Sequence, residues 1–220
     1  MDFIDLRLAI LIFTVLVNGF LAIIVIKNDP RNATNRIFAA LSFITILWLI
    51  DLYFSVNPAY IQNSLLWGRL SIFLAVPQIM CFYLLARTLP DSTLQVSKKA
   101  LYRLSVITIA VMAIAISPFA FTGVTISGDQ VEANPGPGLP IFVAFAISFS
   151  VSAVYILLKK LSSAQGHLKE QYKFVVLGLI LLLGLLIFTI LIPIALTGDS
   201  KFVPFAPLYT IIFLGLTTFA

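Results

Sequence analysis

Apolar residues run along this chain in seven long blocks separated by short polar turns, at 8–26, 37–56, 65–86, 104–124, 140–158, 174–197 and 202–220. A helix rises about 1.5 Å per residue, so about 20 mainly apolar residues cross a hydrocarbon core about 30 Å thick. Each block meets that length. None shows the two-residue alternation of a lipid-facing barrel strand, and all are about twice as long as one. The pattern predicts an all-α, polytopic membrane protein: one domain, a seven-transmembrane-helix bundle. No small-residue cleavage pattern follows the first block, and Lys27 stands after it, so it reads as a retained helix and not a signal peptide. The last block has no basic stop after it, which leads to the expectation that a longer protein continues and that a cytoplasmic output domain is missing from this sequence.

Composition strengthens the membrane reading. The chain is 60% hydrophobic and 10% charged, with a mean hydropathy of +1.08, whereas soluble domains are about 45–50% apolar and about 25% charged. The lipid bilayer is thus the first expected partner.

Charge sets an orientation. Lys27, Arg31 and Arg36 follow block one; Arg87, Lys98, Lys99 and Arg103 follow block three; Lys159, Lys160, Lys169 and Lys173 follow block five. Only Lys201 and the initial Arg7 stand against them. By the positive-inside rule the N-terminus is outside and the C-terminus cytoplasmic. The net charge of +5 then reflects topology and contact with anionic lipid heads, and nucleic acid is not an expected partner. Asn32-Ala33-Thr34 matches a glycosylation acceptor but falls in a cytoplasmic turn, where Asn28, Asp29, Pro30 and Asn32 serve as turn and capping residues, with Asn35 just before the second helix.

The longest outer connection, 122–139, has two short runs, 124–126 and 131–133, around Gly128-Asp129. A small hairpin lid and an irregular connector are equally compatible with it.

Candidate chemistry is sparse. Two ionisable residues fall within blocks, Asp51 and Arg69, both in the outer third. A charge there costs about 2.5–3.5 kcal/mol on insertion scales, so they are candidates for an ion pair between neighbouring helices, or for separate contact with water and lipid heads. Such a pair would close or line an outer pocket with Trp48, Tyr53, Tyr60 and Trp67, although aromatics also gather at membrane interfaces without a ligand. Asn18, Gln78, Tyr83 and Tyr155 are expected to hydrogen-bond across helices. Pro77, Pro118 and Pro193 are expected to kink spans three, four and six. Cys81 reads as a packing residue and His167, in a loop beside lysines, has no second metal ligand near it. No enzyme active site, cofactor or metal is expected. Retinal is excluded because block seven holds no lysine, and the inner end of block three lacks an Asp-Arg-Tyr triplet.

Several short motifs together carry a resemblance. They are Asn28, Pro30-Arg31-Asn32 and Asn35-Arg36 before a block with Trp48, then Trp67-Gly68-Arg69-Leu70, Phe82-Tyr83-Leu84 and Leu89-Pro90. Later come Pro135-Gly136-Pro137-Gly138, Lys159-Lys160, Gln171-Tyr172 with Gly178, and Pro204-Phe205-Ala206-Pro207-Leu208. In this order the chain resembles the N-terminal seven-helix sensor region of bacterial membrane histidine kinases. The resemblance implies a multi-pass protein of a bacterial plasma membrane that receives an unidentified ligand or membrane stimulus. It further implies that the seventh helix passes the signal to a cytoplasmic kinase, with a homodimer in the full-length protein. The rival is a small seven-helix transporter with a Pro-Gln signature, suggested by Pro77-Gln78; it needs paired breaks in corresponding spans, and no second Pro-Gln occurs.

Overall fold

The computed structural model describes residues 3–55, 62–89, 93–94, 96–127, 130–197 and 201–218. In order they form α1 (Phe3–Asn28), α2 (Ala33–Ser55), α3 (Ser64–Thr88), α4 (Lys98–Ile116), a hairpin of β1 (Phe121–Ser127) and β2 (Gln130–Pro135), and α5 (Leu139–Ser163). The sixth span is α6 (Gly166–Leu185), a π segment (Leu186–Leu191) and α7 (Ile192–Thr197); a 3-10 turn (Val203–Phe205) then leads into α8 (Ala206–Thr218).

Six of these helical stretches are long and apolar enough to cross a membrane. The seventh, α8, has 13 described residues, a rise of about 20 Å, and is shorter than the sequence reading gave. Large apolar side chains face outward along the bundle, with Leu16 66% and Phe188 72% exposed; water would penalise such a surface and lipid does not.

The turn before α2 follows the expected capping chemistry, but the helix begins at Ala33 instead of after Asn35. Asn32 Oδ1 accepts from the backbone N–H of Thr34 at 2.8 Å and of Asn35 at 3.4 Å, so Asn32 is the cap and Asn35 lies inside the helix, its amide donating back to the Asp29 carbonyl at 3.0 Å.

The fourth span is corrected: α4 ends at Ile116 and the apolar run beyond it turns into β1. Ser117 stops the helix, its hydroxyl donating to the Ile114 carbonyl at 2.7 Å and accepting from Phe119 N–H at 3.2 Å. Pro118 consequently lies outside the helix it was expected to kink. β1 and β2 pair antiparallel, Val124 opposite Ala133, with a bulge between Phe121 and Gly123; the Gly128-Asp129 turn itself lies outside the described residues. An isolated hairpin is marginal in water, and this one is docked. Gly136 N–H donates to the Ala120 carbonyl and Gly138 N–H to the Phe119 carbonyl, each at 2.8 Å. Both glycines are needed for that approach: a Cβ at Gly136 would sit 2.2 Å from Phe119 O, and one at Gly138 2.8 Å from Ile114 Cγ2.

Three apolar clusters hold the bundle. One, around Phe82, Leu157, Leu179 and Phe213, joins α3, α5, α6 and α8 near the basic turns. A second, around Val76, Phe121, Leu139 and Phe142, joins α3, α4 and α5 beneath the hairpin. A third, around Leu11, Trp48, Leu49, Ile190 and Ala206, ties α1 and α2 to the π segment and α8.

Candidate functional site

Between α2, α3, α5 and the sixth span, under the hairpin, lies a cavity of about 160 Å3. Phe121, Val124 and Ala133 of the hairpin form its roof; Phe142, Ala146 and Ser150 line it from α5. From Leu139 to Ser150 the α5 wall descends by about 16 Å. Its sides are overwhelmingly apolar, and the polar groups that reach it, Ser55, Ser64, Ser71, Gln78 and Ser150, are all uncharged. Interiors are normally close-packed, so a space of this size among apolar side chains is a candidate binding site.

The sixth span forms one wall through an unusual piece of backbone. Leu186, Ile187, Ile190 and Leu191 of the π segment line the cavity, and Ile192 N–H bonds five residues back to the Ile187 carbonyl. Pro193, two residues past the segment, has no N–H and cannot complete an α-helical ladder there. The kink expected at Pro193 thus takes the form of a widened turn, a form enriched at functional sites. Thr189, in the same segment, donates to the Leu185 carbonyl at 2.6 Å and shares a 3.1 Å hydrogen bond with the Tyr209 hydroxyl of α8.

The five residues singled out in the sequence separate in the structure. Asp51 and Arg69 do not form an ion pair. Asp51, 3% exposed, accepts a hydrogen bond from the Ser71 hydroxyl, and its Oδ1 has no partner among the described residues. Arg69 instead donates through Nε and Nη2 to the Phe121 carbonyl, at 3.2 and 2.7 Å. A backbone oxygen of the hairpin has taken the place of the carboxylate. Neither residue lines the cavity, though Asp51 lies directly behind Ser71, which does. Trp48 does line it, 7% exposed. Tyr53 borders a smaller recess with Leu11 and Pro207, and Trp67 stacks on Phe54, ring centroids 5.0 Å apart, its Nε1 buried without a partner among the described residues. Tyr60 lies outside the described residues.

Of the other deep polar groups, Gln78 alone behaves as expected, its amide donating to Thr45 Oγ1 of α2 at 3.2 Å. Asn18 donates to the Thr14 carbonyl of its own helix at 3.1 Å, Tyr83 accepts from Arg87 one turn along at 3.0 and 3.2 Å, and Tyr155 is 66% exposed. His167 is exposed near the start of α6, not in a loop. Sequence reasoning missed Lys160, whose ammonium donates to the carbonyls of Ala86, at 3.0 Å, Arg87, at 3.1 Å, and Leu89 at the end of α3. It also missed Ser150 and the π segment; for the latter, Pro193 was the available signal.

Comparison with curated proteins and with solved structures found no match. A family model described as the N-terminal 7TM region of histidine kinase matches residues 10–220.

Proposed function

Because the chain belongs to the family of N-terminal seven-transmembrane regions of histidine kinases, we propose that it is a signal-sensing module of a bacterial plasma membrane. In this reading the N-terminus and hairpin face outside, the basic turns face the cytoplasm, and the stimulus is passed through α8 to a cytoplasmic kinase output, which works as a homodimer. Kinase chemistry belongs to that output and not to these spans.

One observation carries the reading: the π segment forms a wall of the cavity on one side and holds Tyr209 of α8 through Thr189 on another. A change in what fills the cavity acts on the same turn of backbone that grips the seventh helix. The stimulus need only fit two arrangements of that turn unequally to shift their populations. The carrier reading lacks comparable support. In a carrier of three plus three helices, span six would correspond to span two and show a matching break, whereas α2 is continuous α-helix from Ala33 to Ser55.

The test is a fusion of residues 1–220 to a histidine-kinase output, with one to four alanines inserted at the junction. Transmission through a continuous helix predicts autophosphorylation that rises and falls with a period of about 3.6 residues; activity independent of insertion length would refute it. For orientation, an impermeant thiol reagent should reach Lys99→Cys and Lys169→Cys in inside-out vesicles and not in intact cells.

A further inference from the structure

We propose that the cavity beneath the hairpin is a binding site for an uncharged, single-chain apolar molecule with at most a small hydroxyl or carbonyl head, of the class of medium-chain fatty alcohols. The proposal deepens the sensing function by naming its ligand class, and it rests on that reading only for its biological purpose.

Three features of the site select this chemistry. Its shape is elongated: the lining runs down the α5 wall from Leu139 to Ser150, about 16 Å. A flexible chain fits such a space better than a fused ring system. Charge is the second feature. Among the described residues no ionisable side chain reaches the lining: Asp51 is screened by Ser71 and Arg69 is spent on the Phe121 carbonyl. A carboxylate or phosphate would enter this space with no cation to meet it, which excludes fatty acids and phospholipid heads. Third, the polar groups are few and small. Ser55 and Ser64 stand near the roof, Ser71 at mid-depth with its hydroxyl turned to Asp51, and Gln78 and Ser150 deeper, so one small uncharged head can be met while the rest of the wall stays apolar.

Trp48 and Trp67 are the two tryptophans of the chain. In a Trp67→Phe background, Trp48 reports on the cavity wall alone. The 220-residue chain in phosphatidylcholine nanodiscs is titrated with a bromine-tagged decanol, with the same tagged decanoate as the charged arm. Saturable quenching of Trp48 by the alcohol is expected, with no saturable phase for decanoate at pH 8. Ala146→Leu and, separately, Ala75→Leu fill the lining from α5 and α3, and each should weaken the saturable phase about tenfold or more. Two variants guard against one that fails to fold; each is checked by its thermal unfolding in the nanodisc.

Quenching that does not saturate, or that both filled variants retain, means the alcohol acts from the lipid phase only and overturns the proposal. Equal binding of decanol and decanoate overturns the assigned neutrality. Saturable binding already blocked in nanodiscs and restored after delipidation would identify a lipid tail as the occupant and overturn the free-alcohol assignment. None of these results bears on the alanine-insertion test, so a wrong ligand class and a wrong sensor assignment are told apart.

Discussion

At the hairpin end of α3, Arg69 holds the Phe121 carbonyl with two N–H groups across 52 residues of sequence. At the basic end, the ammonium of Lys160 holds three carbonyls of the α3 terminus. Both clamps are cationic and both grip backbone carbonyls. They differ in what they fasten. Lys160 satisfies carbonyls that any helix terminus leaves without intrahelical partners, and its charge sits at the negative end of the helix dipole, so it joins α5 to α3 as part of the bundle. Arg69 fastens a two-stranded lid to the bundle, over the cavity. The contrast teaches that one end of α3 is built as a fixed joint and the other as a docked cover.

The strongest way to break this arrangement is at the cover. Gly136→Ala places a Cβ on Phe119 O, and the backbone must move; a loss on the order of 4 kcal/mol is expected, read as lost hydrogen-exchange protection across 119–136. If protection persists there, the hairpin dock is misassigned. Lys160→Met removes three charge-assisted bonds and should cost about 3 kcal/mol, seen as a lower unfolding temperature in detergent with hairpin protection unchanged. Arg69→Gln should cost about 2 kcal/mol with the opposite signature: hairpin amides exchange faster while the amides of α5 near Lys160 do not. Similar exchange patterns in the two variants would erase the distinction between joint and cover.

The smallest effect sharpens the comparison further. Since Asp51 bonds Ser71 and Arg69 bonds Phe121, Asp51→Asn and Arg69→Gln share no partner. Their effects should add within about 0.5 kcal/mol in a double-mutant cycle; a larger coupling would restore the ion pair.

Most of the span pattern was legible because lipid selects long apolar runs whatever their packing. Block four overran for the same reason: the residues after Ile116 stay apolar, yet Ser117-Pro118 ends the helix and Phe121 continues inward as a strand beneath which the core packs. The hairpin was half visible, through Gly128-Asp129, and its dock through Pro135-Gly136-Pro137-Gly138. What side-chain types cannot display is the backbone carbonyl. Arg69 was matched in depth to Asp51, but every residue carries a carbonyl, and the one that reached Arg69 belongs to a strand far along the chain. Lys160 was read for its side of the membrane and not for its contacts for the same reason. The cavity was legible only through Trp48 and, for its π wall, Pro193, because the Leu and Ile residues of the π segment look no different from those on either side of it.

That π segment holds one residue more than an ordinary turn requires. One extra residue offsets the helical register across the segment by about 100°. Pro193 stands just past it on one side, and Gly184, where nothing crowds the helix, just before it on the other. The sixth span thus keeps its surplus residue on the very turn from which Thr189 reaches Tyr209, so the phase of that turn and the grip on the seventh helix are set together.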